Sequence, residues 1–273
     1  MIKHPAFFVG LARWSNLCSV NKTPFDLTGK VALVTGASKG IGEAMARLFA
    51  RFGASVVVSS RQQAALDELA ADIRQSGGDA TGIEANVGNM EQVRSLLTRT
   101  VAVYGGIDIV VNNAATNPVF GPVADTDEAA FDKIMQVNVK APFELSKLAY
   151  QTMKTRGGGV IINISSIGGV VPEPGLGIYS VSKAALVMLT KVMAKEWGPD
   201  NVRVNVICPG LIKTKFSRAL WEDEKTLQRF TKHLPLGRMG NPEDIAGLAL
   251  FLASDAAAYC TGGVFMADGG AVI

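Results

Sequence analysis

From residue 31 onward, short runs rich in β-branched residues alternate with longer stretches whose apolar residues recur every three or four positions. The short runs are typical of buried strands, and the longer periodicity is typical of helices that cover a sheet. Such alternation makes consecutive strands parallel and places helices on both faces of the sheet. We therefore predict an α/β fold with a doubly wound, seven-stranded parallel sheet. The predicted strands are Val31–Thr35, Ser55–Ser60, Thr81–Ala85, Ile107–Val111, Gly159–Ile164, Val202–Ile207 and Val264–Ala267.

Six helices are predicted between these strands. Gly53, Gly105 and Gly198 each follow a predicted helix, where a left-handed C-terminal cap is expected. Leu211–Pro235 breaks the regular pattern and is either a mobile helical insertion near the site or an ordinary pair of surface helices. The predicted helices are Ile41–Phe52, Gln62–Gln75, Met90–Tyr104, Ala129–Thr155, Ile178–Trp197 and Pro242–Ala253.

The domain organisation is predicted to be simple. No internal repeat, low-complexity tract or linker divides the chain, so residues 25–273 are expected to form one catalytic domain after an N-terminal extension at residues 1–24. The apolar run Ala6–Ala12 is too short to cross a bilayer. We expect the extension to pack on a surface or at a subunit contact, with targeting as the alternative, and we expect no membrane partner.

Charge and the scarce metal-binding residues exclude several classes of function. The 27 basic and 24 acidic residues are spread along the chain without basic blocks, so no nucleic-acid partner is expected. Cys18, Cys208 and Cys260 are far apart, which predicts no disulfide framework, no zinc site and a reducing cytoplasmic location. His4 and His233 are the only histidines and are also far apart, so neither a metal site nor a His-based triad is expected.

The glycine-rich segment Thr35–Gly42 lies between the first predicted strand and the first predicted helix. Free N–H groups at a helix N-terminus bind phosphate, and the glycines allow a tight turn and close approach to a pyrophosphate. The segment lacks the GK[ST] ending of a nucleotide-triphosphate loop, so it predicts a dinucleotide site. The candidate cofactor-binding residues here are Gly36, Ser38, Lys39, Gly40, Ile41 and Gly42.

The end of the second predicted strand indicates which dinucleotide is bound. NAD selection is expected to place an acidic residue there, but the sequence reads Val57–Arg61 without one. Ser60 and Arg61, together with Lys39, could surround a phosphate with charge-assisted donors. This favours NADP(H) over NAD(H), although either cation alone could be a solvated surface residue.

Tyr179 and Lys183 are spaced to share one face of a helix. An ammonium held near a phenol stabilises the phenolate, so the tyrosine pKa is expected to fall from about 10 toward neutrality. Such a tyrosine can transfer a proton during catalysis. The alternative is a partly buried tyrosine beside a solvated lysine, a common arrangement on helices.

Four motifs in order, Thr35–Gly42, Asn112–Ala115, Ile164–Ser166 and Tyr179–Lys183, resemble those of the short-chain dehydrogenase/reductase family, whose fold is of the Rossmann type. The resemblance covers roughly residues 25 to 270. The GxxxGxG pattern is similar to that of the ordinary oxidoreductases rather than the extended epimerases. Three residues between the tyrosine and the lysine, rather than six, argue against the enoyl-reductase branch.

The resemblance implies roles for the catalytic candidates. Tyr179 is expected to donate a proton to a carbonyl oxygen as hydride arrives from the nicotinamide, and Lys183 to lower its pKa and hold the nicotinamide ribose. Ser166 would bond the substrate oxygen. Asn138 would seat a water that links the lysine to solvent, while Ser165 is expected to be structural.

The resemblance also implies further cofactor contacts and a homotetramer. Asn112 is expected to tie the central sheet together, and Arg238 and Asp268–Gly270 to be structural or subunit-contact elements. Asn86 stands where relatives carry aspartate beside the adenine, so that contact is expected to be altered. The remaining cofactor candidates are Asn86, Val87, Asn113, Ala114, Pro209, Gly210, Ile212 and Thr214.

These observations predict an NADP(H)-dependent oxidoreductase that interconverts a small-molecule ketone or aldehyde and an alcohol, working as a reductase. An NAD-dependent alcohol dehydrogenase of the same fold and a non-catalytic NADP-binding regulator are the alternatives. A serine hydrolase is excluded because Ser166 lies in no GxSxG elbow. The segments Ile167–Gly177 and Leu211–Pro235 are expected to form the pocket walls, which would suit an aliphatic, aromatic or steroid-like ketone or a 3-oxoacyl thioester. The apolar wall candidates are Val170, Val171, Leu176, Phe216 and Trp221.

Overall fold

Parallel pairing joins seven strands into one sheet in the order β3-β2-β1-β4-β5-β6-β7. The computed structural model describes residues 23–218, 221–222 and 224–273. The chain builds outward from β1 to β3 and returns on the other side of β1 as β4, so the order reverses between β1 and β4. Ligands bind open α/β sheets beyond the carboxyl ends of the strands at such a reversal. The strands are β1 Val31–Thr35, β2 Ser55–Ser59, β3 Asp79–Gly82, β4 Ile109–Asn112, β5 Gly159–Ile164, β6 Val202–Pro209 and β7 Val264–Ala267.

Helices cover both faces of this sheet, which confirms the predicted doubly wound architecture. Ala32 and Val34 of β1 face a core formed with α1, α2 and α8, whereas Leu33 faces a second core formed with α3, α5 and α6. Burial on both sides explains the nearly continuous apolar runs in the central strands. The helices are α1 Gly40–Arg51, α2 Gln63–Gln75, α3 Met90–Tyr104, α4 Glu128–Met135, α5 Ala141–Thr155, α6 Gly177–Trp197, α7 Glu224–Thr231 and α8 Pro242–Ala253.

Several bounds differ from the predicted ones by up to three residues, and three of the differences are informative. β3 begins two residues before the predicted Thr81, because the exposed Asp79 pairs with Ser55 and carries no apolar signal. Gly105 has the left-handed conformation expected of a C-terminal cap, but Gly198 continues the helical turn, and the left-handed residue there is Asn201.

The third difference concerns the long helix predicted over residues 129–155. A π turn at Gln136–Lys140 divides it into α4 and α5. The apolar spacing continues through the turn, so periodicity alone gives no sign of it. Short π segments inside helices are frequent at functional sites.

Buried amides fasten the centre of the sheet. Asn112 Nδ2 donates to Asn163 Oδ1 at 2.8 Å and to Ser146 Oγ at 2.9 Å, and Asn163 Nδ2 donates to Thr190 Oγ1 at 2.8 Å. These contacts connect β4 and β5 to α5 and α6. The predicted structural role of Asn112 matches this geometry.

The predictions for the N-terminal extension and for Cys18 concern residues 1–22, which lie outside the described residues.

Arg238 pairs with both carboxylate oxygens of Asp244, which also accepts a hydrogen bond from the Asn241 N–H at the start of α8. This is the structural use expected for Arg238.

The segment Gly177–Asp200, which contains α6, is long and apolar enough to span a bilayer by length and composition. Core helices of soluble proteins pass the same test. In this fold α6 packs against β5 and β6 and contains Lys183, which is buried. The segment is therefore accounted for as a core helix of the sheet.

Candidate active site

The turn between β1 and α1 forms one wall of the site. Gly36 and Gly40 have positive φ angles of 65° and 64°, which side chains rarely adopt. Gly42 needs glycine for another reason: a Cβ there would lie 2.5 Å from the Gly36 carbonyl oxygen and 2.6 Å from Asn113 Nδ2. The turn thus brings the start of α1 against the residues that follow β4.

The chain leaving β4 is fastened to this turn by hydrogen bonds. Asn113 Nδ2 donates to the carbonyls of Thr35 and Gly36 at 2.8 and 3.2 Å. Thr35 Oγ1 accepts from the N–H groups of Asn113 and Ala114. Asn113 therefore fixes the glycine turn through its side-chain amide. Thr35 fixes the chain after β4 in turn. It was not among the predicted site residues, because a threonine at the end of a strand carries no special signal.

The N-terminus of α1 presents backbone N–H groups without a side-chain cap, because Lys39 is extended and its side chain makes no capping hydrogen bond. Such a terminus attracts anions. Glu43 lies in the first turn, but Arg47 donates to its carboxylate at 3.0 Å and offsets its charge. Lys39 is exposed, Ser38 is half-buried, and Ile41 packs against the core.

The segment after β6 reaches the same turn. Thr214 Cγ2 would contact a Cβ built on Gly40 at 3.2 Å, so Thr214 lies over the start of α1. Ile212 forms an isolated bridge with Gly240, and the Gly210 N–H donates to the Ala267 carbonyl. The buried Pro209 ends β6. The structure therefore brings the predicted 209–214 segment to the glycine turn.

The second predicted cofactor contact lies where β2 ends. Ser60 is half-buried and Arg61 is exposed, and Arg61 has no ion-pair partner in the part of the chain that the structure describes. Asn86 uses its side-chain oxygen to accept the Gly88 N–H at 3.0 Å, which leaves its amide N–H groups available, and Val87 packs on the second core. The sequence itself carries no acidic residue at positions 57–61.

Tyr179 and Lys183 lie on one face of α6, as predicted, and both are buried. The Lys183 Nζ lies 5.6 Å from the centroid of the Tyr179 ring and donates to the Ile164 carbonyl at 2.8 Å. No acid is paired with Lys183 among the described residues. A buried ammonium with one protein acceptor keeps donors free for a ligand.

Two serines at the end of β5 have separate roles in the structure. Ser165 Oγ donates to the Lys183 carbonyl at 2.8 Å, which ties β5 to α6 as expected for a structural residue. Ser166 is half-buried, and its Oγ accepts the Gly168 N–H at 3.1 Å. That bond leaves the Ser166 hydroxyl hydrogen free to point toward the phenol of Tyr179 or a ligand.

The expected lowering of the Tyr179 pKa is wrong for this structure. Burial raises the pKa of Tyr179, because the phenolate loses its solvation, and the Ser166 hydroxyl opposes this only in part. The charges of Glu173 and Cys208 also raise the pKa of Tyr179. Burial also lowers the pKa of Lys183 to about 8, because the ammonium loses its solvation. Tyr179 is consequently held as a phenol at neutral pH.

Asn138 is the centre of the π turn between α4 and α5. Its amide donates to the Thr116 carbonyl and to Ser182 Oγ, both at 3.0 Å, and its side-chain oxygen accepts the Thr116 N–H at 2.9 Å. Ser182 in turn donates to the Tyr179 carbonyl. The side chain therefore fixes the loop after β4 and the first turns of α6, and both of its amide hydrogens are used by the protein.

Comparison with known proteins decides the family. The family described as enoyl-(acyl carrier protein) reductase matches residues 36–272. A human dehydrogenase/reductase SDR family member 4 is 44% identical over 272 residues, 98% of each chain. The chain belongs to the short-chain dehydrogenase/reductase family.

Solved structures of this family share the fold. A 7α-hydroxysteroid dehydrogenase complexed with NADH and 7-oxo glycochenodeoxycholic acid superposes with a TM-score of 0.87 at 36% identity, covering 90% of this chain and 96% of that one. A gluconate 5-dehydrogenase from Burkholderia cenocepacia J2315, in complex with NADP and tartrate, has a TM-score of 0.87 at 33% identity, with coverage of 91% and 97%. Members of the family with this fold therefore bind nicotinamide cofactors of both kinds.

The residues present in this chain fit such a cofactor. The positive-φ glycines leave backbone at the turn surface, the N-terminus of α1 offers uncapped N–H groups, and Lys183 has ammonium donors to spare. Among the described residues, no three His, Cys, Asp or Glu side chains are grouped in a way that could hold a metal. Cys208 and Cys260 are both free thiols.

Replacing Gly42 with alanine tests this fit. The new Cβ would meet the Gly36 carbonyl, a backbone atom that cannot move away, so the turn must open. We expect the Kd for NADPH, measured by the change in its fluorescence, to rise at least about tenfold while the circular dichroism spectrum is kept. Gly247→Ala on α8 is the matched control, because a Cβ there meets nothing within 4 Å. Equal Kd values for the two variants would contradict the assignment of the turn.

Proposed function

We propose that this protein is an NADP(H)-dependent oxidoreductase that interconverts a ketone or aldehyde and an alcohol and works as a reductase. The observation that carries the proposal is the placement of Ser166, Tyr179 and Lys183 at the carboxyl end of β5, on the same edge of the sheet as the glycine turn that follows β1. A proton donor, a hydrogen-bond donor and a buried cation there match the needs of carbonyl reduction at a dinucleotide site.

Tyr179 would supply the proton for the reaction. When bound, the reduced nicotinamide supplies a hydride to the carbonyl carbon. Tyr179 gives its phenolic proton to the carbonyl oxygen as that oxygen gains negative charge, and the Ser166 hydroxyl donates a hydrogen bond to the same atom. The ketone, the hydride and one proton together make the alcohol. The raised pKa of Tyr179 suits this direction, because the protonated form is the proton donor.

Lys183 would hold the cofactor ribose and stabilise the phenolate left on Tyr179. Its pKa is lowered to about 8, so the side chain of Lys183 can gain or lose a proton close to neutral pH.

Asn138 would act through the π turn. Because both hydrogens of its amide are used, we assign the predicted link to solvent to a water held by the backbone of this turn.

The preference for NADP(H) is supported by Arg61 and Lys39, exposed cations at the end of β2 and in the glycine turn, and by the missing acid. An NAD-using dehydrogenase is the alternative, since one structural neighbour is complexed with NADH and another with NADP. The other alternative, a non-catalytic NADP-binding regulator, is disfavoured because Tyr179 and Lys183 are both kept.

The substrate side of the site has apolar walls. Phe216 lies with its ring centroid 6.2 Å from that of Tyr179, and its side chain is 59% exposed. Val170 and Val171 are also exposed on the loop after Ser166. These surfaces support a ketone with an aliphatic, aromatic or steroid-like body, and a 3-oxoacyl thioester is compatible with them.

We also propose a homotetramer in the cytoplasm. Val181, Met188 and Val192 form an exposed apolar stripe along α6, with 52%, 59% and 43% of their surfaces accessible. Phe131 on α4 and Phe143 on α5 are exposed as well. Apolar side chains at helical spacing on one face are expected to be covered by another subunit.

Tyr179→Phe should retain the fold and NADPH binding but lose about 10²- to 10⁴-fold in kcat/KM for ketone reduction, because the general acid is removed. The measurement is NADPH oxidation over a panel of aliphatic, aromatic and steroid-like ketones. Tyr104→Phe serves as the matched control, since its hydroxyl bonds Thr81 and Asp79 at the far side of the sheet. Similar activity in the Tyr179 variant and the control would rule out the mechanism.

Arg61→Asp should reverse the cofactor preference. The wild type is expected to have the higher kcat/KM with NADPH, and the variant should shift the NADPH to NADH ratio about tenfold to one-hundredfold toward NADH, because a charge-assisted contact is replaced by repulsion. Arg99→Asp on the exposed face of α3 controls for the change in net charge. A wild type that prefers NADH would support the alternative dehydrogenase instead.

Met188→Lys should weaken the assembly, because a charge would be placed at the centre of the exposed stripe on α6. Sedimentation velocity is expected to show a tetramer for the wild type and smaller species for the variant. Lys30→Glu, an exposed change before β1 and off the α6 stripe, should stay tetrameric. A monomeric wild type would contradict the proposed assembly directly.

A further inference from the structure

Three oxygen atoms surround the empty side of Gly168, two residues after Ser166. A Cβ built on Gly168 would lie 3.2 Å from Ser180 Oγ, 3.4 Å from Glu173 Oε2 and 3.5 Å from Ser166 Oγ. The Gly168 backbone has no positive φ, so its lack of a side chain is not required by the turn. We call this group, Ser166, Gly168, Glu173 and Ser180, the Gly168 subsite.

Two of these oxygens lack partners within the described chain. Ser180 is 7% exposed, and its Oγ has no hydrogen-bond partner. The half-buried carboxylate of Glu173 takes no hydrogen bond from a described side chain or backbone N–H and joins no ion pair. Of the two, Ser180 Oγ is the fully buried one, and a buried hydroxyl without a partner is costly, so it indicates a ligand group that can bond Ser180 and the neighbouring Glu173 carboxylate.

The subsite lies beside the reacting atoms. Ser166 belongs both to the proposed catalytic set and to the Gly168 subsite. Ser166 Oγ and Glu173 Oε2 each lie within 3.5 Å of the position that a Cβ on Gly168 would take. The negative charge of Glu173 also acts on the phenol of Tyr179. A group bound here would consequently lie within a few ångströms of Ser166 Oγ, the atom expected to bond the substrate carbonyl.

We propose that Glu173 is a specificity residue that accepts a hydrogen bond from a substrate hydroxyl on the carbon next to the carbonyl, so that the enzyme prefers α-hydroxyketones. The inference deepens the proposed function and rests on it. Ser180 Oγ completes the subsite by donating to the same hydroxyl oxygen. The substrate then has two parts: a hydroxyketone end at the Gly168 subsite and an apolar body along Phe216 and Val171.

The chemistry of the subsite favours a neutral donor. A carboxylate only accepts hydrogen bonds when ionised, whereas the serine hydroxyls can donate or accept. A hydroxyl is the small group that can use both kinds of partner at once. A methyl ether in the same place can accept from Ser180 but leaves Glu173 without a donor, which makes the ether the informative comparison.

The test uses three substrates of one shape class with the full-length protein and NADPH. α-Hydroxyacetophenone has the hydroxyl, α-methoxyacetophenone has only an acceptor, and acetophenone has neither. We expect the wild type to prefer the hydroxyketone over the methoxyketone about tenfold to one-hundredfold in kcat/KM. Binding of 1-phenyl-1,2-ethanediol against 1-phenylethanol, followed by the fluorescence of bound NADPH, gives a second readout that needs no turnover.

Two variants of Glu173 separate the acceptor from the bulk of the side chain. Glu173→Leu should abolish the hydroxyl preference in both readouts, while Glu173→Gln, which keeps an acceptor oxygen, should retain part of it. Gly168→Ala should reduce the preference without changing any charge, because its Cβ fills the space among the three oxygens. Glu196→Gln, an exposed change at the far end of α6, is the matched control.

The outcomes separate the two proposals. A wild type that reduces ketones but does not distinguish hydroxyl from methoxy, or whose preference survives in Glu173→Leu, overturns the role of Glu173 and leaves the reductase intact. A wild type that reduces none of the three ketones with NADPH or NADH overturns both. Loss of the preference in Glu173→Leu, partial rescue in Glu173→Gln and an unaltered Glu196→Gln together support the inference.

Discussion

The site depends on the close approach of two chain segments that leave β1 and β4 where the strand order reverses. Asn113 fills the space under the glycine turn so completely that a Cβ at Gly42 would come within 2.6 Å of its amide. The same amide bonds the carbonyls of Thr35 and Gly36. Because the start of α1 is positioned by this contact, the uncapped N–H groups of that helix face the reversal point, where a dinucleotide phosphate can reach them.

The proposed catalytic residues are placed by a second set of constraints, on the far side of β4. The π turn at Asn138 lets one amide hold both the Thr116 loop and Ser182 on α6. Ser165 fixes the backbone of Lys183 from the end of β5. Burying an ammonium without an acidic partner is unfavourable in isolation, and the lowered pKa of Lys183, about 8, expresses that cost. The hydrogen bonds from Asn138 to Ser182 and from Ser165 to the Lys183 carbonyl keep Lys183 buried despite this cost.

Much of this arrangement could be predicted from the sequence, because strand and helix periods, glycine spacing and the Tyr179–Lys183 separation are local properties. The π turn could not, since the apolar pattern runs through Gln136–Lys140 without interruption. The direction of the Tyr179 pKa was predicted wrongly for a related reason. Spacing shows that a lysine is near a phenol, but it does not show how far both are buried, and here desolvation outweighs the attraction between them.

In the proposed reaction, Glu173 would affect both substrate specificity and the direction of turnover. A carboxylate close to Tyr179 disfavours the phenolate and so keeps the proton that reduction consumes, whereas alcohol oxidation would begin from the deprotonated phenol. The same carboxylate can accept a hydroxyl hydrogen only from a substrate whose donor lies near the carbonyl. Its loop also carries the apolar Val170 and Val171, two of the residues from which the sequence predicts apolar pocket walls. Glu173 changes that expectation, because it is an acid without a protein partner among the described residues and its charge raises the pKa of Tyr179.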